Sequence, residues 1–204
     1  MTDTNKDPNR HAEKMVKRKE LHDKKMAKKT ADKGLLIVHT GTGKGKSSAA
    51  FGMVMRAITH GFKVGVVQYI KGDWQSGERT LLEKFPDQVE IHAMGEGFTW
   101  ETQDRERDIE VTKQAWDKSV KLINDPAIKM VVLDELNIAL RYDYLELDEV
   151  IEILKNRSED KHIIVTGRNA KPELIEIADL VTEMTLIKHP FKEQGIKAQP
   201  GIEF

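Results

Sequence analysis

Residues 35–58 constrain this chain more than any other stretch. Leu35-Leu36-Ile37-Val38 is a short apolar run of the kind that forms a buried strand. Ala49-Ala50-Phe51-Gly52-Met53-Val54-Met55-Arg56-Ala57-Ile58 is apolar almost all round, which marks a buried helix. Between them lies Gly41-Thr42-Gly43-Lys44-Gly45-Lys46-Ser47-Ser48. A strand, a glycine-rich turn and a helix opening on Gly-Lys-Ser form the context of a phosphate-binding loop. The glycines let backbone N–H groups turn around an anion, and the helix N-terminus adds its partial positive charge. Lys46 would supply a full charge to the phosphates, and Ser47 a hydroxyl for Mg²⁺. The spacing is tight: Gly41 and Gly45 enclose only three residues, and Thr40 stands where the usual pattern has its first Gly.

Downstream, apolar runs alternate with helical patterns. Strands are expected at 64–69, 89–93, 130–135, 163–166 and 181–186, and helices at 78–85, 104–124, 147–154 and 172–178. Such alternation predicts an α/β fold with a mostly parallel, doubly wound sheet of about six strands, of the P-loop NTPase type. Met130-Val131-Val132-Leu133 runs into Asp134-Glu135, an apolar strand ending in two acids. After a phosphate loop, one acid can hold the shell of a Mg²⁺ ion and the other can position a reacting group. Arg168 follows the strand at 163–166, at the edge where parallel sheets place ligands. With Arg56 on the first buried helix it completes the basic candidates for nucleotide binding. Trp116, on the stripe Ile109, Thr112, Trp116, Val120, Ile123, reads as core.

At 204 residues with a net charge of −1, the chain has no overall field for nucleic acid or membranes, but its charge is unevenly spread. Residues 1–33 hold eleven Lys or Arg and six Asp or Glu, a balance of +5 that leaves −6 on the remainder. This divides the chain into a basic, partly helical arm (1–33) and an α/β domain (34–204). The absence of cysteine excludes a disulfide framework and a zinc–thiolate site. No apolar run approaches a membrane span, and the charged N-terminus lacks the apolar stretch of a secretion signal. A cytoplasmic location is therefore expected, with no membrane and no nucleic acid as partner. The residues alone reach a Mg-nucleotide-binding protein. One version of it is a nucleotide-hydrolysing motor or switch whose basic arm binds nucleic acid.

Further motifs narrow this. The short loop is joined by Val66-Val67-Gln68-Tyr69-Ile70-Lys71-Gly72 with Trp74 and Gly77-Glu78, and by Gly97-Phe98-Thr99-Trp100-Glu101-Thr102-Gln103. Val131–Leu136, Tyr142-Asp143-Tyr144-Leu145, Thr166-Gly167-Arg168 and Lys197-Ala198-Gln199 continue the series. Over residues 9–204 the chain resembles the P-loop ATP:corrinoid adenosyltransferases of cobalamin biosynthesis.

The resemblance implies transfer of the 5′-deoxyadenosyl group of ATP to the Co(I) of a corrinoid such as cobalamin, with release of triphosphate. It implies Mg²⁺ or Mn²⁺ with ATP, held by Ser47, Glu135 and Asp134. It also implies a phosphate cradle of Gly41, Thr42, Gly43, Lys44, Gly45, Lys46, Ser47 and Ser48. Phe98 and Trp100 would lie beneath the corrin and displace its lower axial ligand, easing reduction to Co(I). With Lys46 and Glu135 they make the catalytic set. A homodimer whose N-terminal helix covers the site is implied as well, with an electron-donating flavoprotein as partner. The chain departs from the family at Thr42, where many relatives carry Asn, at an extra residue within 191–195, and at Pro190 after His189.

Overall fold

The computed structural model describes residues 8–70, 76–94 and 104–203. The chain divides into two compact units, Met1–Asp32 and Lys33–Phe204. The first contains helix α1 (Pro8–Met26), whose last turn carries Lys24 and Lys25 beside the negative end of the helix dipole. Its few large apolar side chains, Met15, Val16, Leu21 and Met26, are exposed.

The second unit is a three-layer α/β/α sandwich. Its strands are β1 (Leu36–Thr40), β2 (Lys63–Gln68), β3 (Val89–Ala93), β4 (Ile128–Asp134), β5 (His162–Thr166) and β6 (Leu180–Glu183). They form one sheet in the order β3-β2-β4-β5-β1-β6, every pairing parallel. The helices are α2 (Lys46–Thr59), α3 (Gly77–Leu82), α4 (Arg105–Asn124), α5 (Leu136–Arg141), α6 (Leu147–Lys155), α7 (Pro172–Ile177) and α8 (Pro190–Gln194).

Side chains alternate across the sheet, as the two-residue period of a strand requires. Leu36, Val38, Val131, Leu133, Ile163 and Val165 join one core with Trp116, Leu140, Leu154 and Leu174 of helices α4 to α7. Ile37, Val66, Met130, Val132 and Ile164 join another with Phe51 and Val54 of α2 and Leu82 of α3. Trp116 is buried in the first core, and its indole N–H donates to Glu149 at 3.1 Å.

The chain leaves β1 for α2 on one face and leaves its neighbour β5 for α7 on the other. A crevice therefore opens where the two connections part, at the C-terminal edge of the sheet. The loop after β1, the acids ending β4 and the turn after β5 all meet that edge.

Several elements differ from their sequence expectation, among them α3, which ends at Leu82 and not at 85. Helix α5 was not expected, because six residues carry too little periodicity to stand out from the apolar end of β4. Strand β6 is shorter than 181–186, and all four of its residues are exposed, so no core contact prolongs it. The tail, where no helix or strand was expected, holds α8 and a closing turn at residues 200–203.

Candidate active site

The phosphate-type loop is shaped by contacts at its back. Gly41 turns the chain at φ +94°, and a side-chain carbon there would come 2.5 Å from the Met184 carbonyl oxygen. Gly43 donates its N–H to the same oxygen at 2.6 Å, while the Met184 N–H donates to the carbonyl of Thr40 at 2.9 Å. The loop is thus tied to the end of β6, and the Gly43 amide is committed to that tie. Gly45, at φ +102°, caps α2 without a side-chain hydrogen bond. The first intrahelical bond runs from Ala49 N–H to Gly45 at 2.9 Å. The amides of Lys46, Ser47 and Ser48 precede it and form the anion-seeking start of the helix.

Lys46 is 7 % exposed, and its ammonium donates to the carbonyls of Gly41 at 3.0 Å and Gly43 at 2.6 Å. Burial lowers its pKa from the ordinary lysine value, opposed by Glu135 and helped by Arg168 and Lys44. Beneath the loop, the buried His39 ring sets Nδ1 3.2 Å from the Lys46 carbonyl.

Across the crevice, Asp134 ends β4 and is 5 % exposed. Its Oδ1 accepts from the Thr166 hydroxyl at 2.7 Å and its Oδ2 from the Gln68 amide at 3.3 Å. The Thr166 oxygen also accepts the Glu135 N–H at 2.9 Å. Glu135 itself adopts the left-handed conformation, φ 64° and ψ 19°, which is strained for a residue with a side chain. Asn137, wholly buried, donates to the Gly167 carbonyl at 2.9 Å and braces the turn that carries Arg168. Gly167 sits at φ +122°, where an added carbon would lie 2.8 Å from Asn137 Cβ and 3.0 Å from Glu135 Oε2. Only glycine fits there.

Burial, reinforced by Asp134, raises the Glu135 pKa to about 7, against the opposing pull of Lys46 and Arg168. Among the described residues no donor hydrogen-bonds this carboxylate. A desolvated carboxyl facing a hydroxyl-bearing loop has the chemistry of a hard-cation ligand. Among the described residues no three His, Asp or Glu cluster as a metal cage. A divalent ion that keeps waters and takes phosphate oxygens as ligands would suit such a sparse donor set, in which the Ser47 hydroxyl and the Glu135 carboxylate could hold it.

The loop from Gly43 to Ser48, Glu135 and Arg168 line one cleft of 530 Å³, with Ile202 and Glu203 of the tail on its remaining side. Gly41 lies outside that lining, in the bend against Met184, and Thr42 is exposed. Arg56 stands in the last turn of α2, about 15 Å along the helix from Lys46 at 1.5 Å per residue, and does not line the cleft. Phe98 and Trp100 lie outside the described residues. Sequence reasoning assigned no role to Thr166, Gln68, Asn137 or Glu203. The first two stood in plain view inside quoted motifs, but only the strand order puts them beside Asp134.

Comparison with known proteins identifies the family. The profile of the family described as ATP:corrinoid adenosyltransferase BtuR/CobO/CobP matches residues 32–204. The corrinoid adenosyltransferase of a Sinorhizobium species is 57% identical over 201 residues, 98% of this chain and 94% of that one. A protein of the same name from Pseudomonas aeruginosa is 55% identical over 96% of both chains. The one from Escherichia coli K12 is 44% identical over 96% of this chain and 98% of its own. With a tight glycine-rich loop, Glu135 and a basic turn lining one cleft, and with full-length relatives of one name, this chain belongs to the ATP:corrinoid adenosyltransferase family.

Proposed function

We propose that this chain transfers the 5′-deoxyadenosyl group of ATP to the Co(I) of a corrinoid, the cleft of 530 Å³ holding the triphosphate that leaves. The observation that carries the reading is the convergence of Lys46, Arg168, the first amides of α2 and Glu135 on that cleft.

The chemistry asks for no protein nucleophile. The reduced cobalt of the substrate attacks the ribose C5′, the C5′–O bond breaks, and its electron pair departs with the triphosphate. Negative charge therefore grows on the leaving oxygen, and the loop amides, Lys46, Lys44 and Arg168 are placed to stabilise it. Bound Mg²⁺ or Mn²⁺ would neutralise phosphate charge between Ser47 and Glu135, with Asp134 orienting the site. Thr166 and Gln68 hold Asp134 by hydrogen bonds, and Thr166 also fixes the backbone of Glu135. Gly41, Thr42, Gly43, Gly45 and Ser48 act as the cradle's frame. Phe98 and Trp100 belong under the corrin, a role supported by the family's Gly-Phe-Thr-Trp-Glu-Thr run. An external electron donor, a flavoprotein as the family resemblance implies, would supply the electron that makes Co(I). A cytoplasmic homodimer completes the reading. Among the described residues no helix is long and apolar enough to cross a membrane.

The test is to incubate the protein with MgATP and reduced corrinoid and to identify the phosphate product. Intact triphosphate is expected, and Lys46→Ala should lower turnover roughly 10²–10³-fold while leaving the circular-dichroism spectrum unchanged. Orthophosphate, released without a corrinoid requirement, would place the chain among nucleotide hydrolases instead.

A further inference from the structure

The C-terminal turn puts a second carboxylate, besides Glu135, into a cleft whose loop and Arg168 are shaped for anions. Gln199 accepts the N–H groups of both Ile202, at 3.2 Å, and Glu203, at 3.0 Å, so the turn is folded back on itself. Gly201 reverses the chain at φ +77° with open space where a side chain would stand. Through this turn Glu203 reaches the cleft wall and forms an ion pair with the ammonium of Lys44. Lys44 belongs to the phosphate-type loop, and a polyphosphate lying along that loop needs the same ammonium. Glu203 and the entering anion therefore compete for one cation, and each repels the other.

We propose that Glu203 is a tethered competitor for the phosphate site: it holds Lys44 and is displaced when triphosphate enters, and so sets how tightly the cleft keeps that product. The side chains are 54% and 22% exposed, so the pair is screened by solvent and exchanges readily. It tunes affinity and does not block the site. A product with several negative charges, cradled by a lysine, an arginine and helix amides, would otherwise be slow to leave. A carboxylate waiting on the same wall re-forms its own pair as the triphosphate departs. The inference rests on the cleft being the triphosphate site.

The experiment is calorimetric titration of inorganic triphosphate, without divalent metal, into the full chain, Glu203→Gln, Glu203→Ala and Lys46→Ala. Both Glu203 variants should bind triphosphate roughly fivefold more tightly at low salt, a gain of the size expected for one exposed pair. The gain should shrink as salt rises, because the interactions removed are electrostatic. Unchanged affinity in both variants, with Lys46→Ala losing its binding, overturns the competitor and leaves the cleft assignment standing. Weaker binding in both also overturns it and makes Glu203 a ligand of the anion. Triphosphate binding equally to the parent and to Lys46→Ala, or to neither, removes the cleft assignment and the competitor together.

Discussion

At Thr166 one hydroxyl serves both acids at the end of β4, donating to Asp134 and accepting the amide of Glu135. The residue is wholly buried, so neither partner finds water if the hydroxyl goes. Thr166→Val keeps the shape and strands a carboxylate oxygen and an N–H. Each such orphan costs about 1–3 kcal/mol, so urea unfolding should report a loss of roughly 2 kcal/mol or more, with Thr166→Ser close to the parent. A Val variant as stable as the parent would mean that the two acids do not depend on this bond. The same residue shows what a sequence conceals. Gly41 to Ser48 are contiguous, and their spacing alone announces a phosphate loop. Asp134 and Thr166 are 32 positions apart and meet only because β4 and β5 pair in register, Leu133 beside Val165. Arg56 errs in the opposite sense: the sequence nominates a basic residue near the loop, and the length of α2 carries it to the other end.

Among the strands, β6 buries least and is fastened by polar ties. Its residues are all exposed, and Asp179, just before it, fastens it to the sheet. The Asp179 carboxylate accepts from the Leu36 N–H at 2.9 Å and from Arg157 at 3.1 Å, and pairs with Lys33. Partial burial would raise its pKa, but Lys33, the Leu36 amide and Arg157 together outweigh that and hold it below the ordinary value of 3.8. A depressed carboxyl pKa means stability that is present above pH 3.8 and lost as pH falls through the folded value. Asp179→Asn should therefore cost about 1 kcal/mol at pH 7, a figure reduced for solvent exposure. The deficit should narrow below pH 4, measured by urea unfolding from pH 7 to 3.5. A deficit constant across that range counts against the tie. Sequence pattern finds buried strands by their apolar runs, which is why β4 and β5 were legible to within two residues. β6 buries nothing, so its length was overestimated, and α5 was too short to show a period at all.

Over the whole molecule, the unit of residues 33–204 carries both buried clusters, the entire sheet and the described cleft. Removing residues 1–28 should leave its thermal midpoint and its affinity for ATP near those of the parent, while corrinoid turnover falls. Global unfolding of the truncated chain would show instead that the arm is part of the core. The connectivity of the remaining unit has a consequence in time. Strand β1, which leads into the phosphate loop, pairs only with β5 and β6. Its registers, Leu36 with Ile163 and Ile37 with Leu180, join residues more than a hundred positions apart. The loop's own shape waits on the Met184 carbonyl. On a ribosome the loop is among the first parts of the domain to be made, and it is among the last to acquire its form. A nascent chain stopped short of β6 contains every residue of the phosphate motif and no site. If the cleft is the nucleotide site, binding should appear only once β6 has paired with β1, because the Met184 carbonyl shapes the loop.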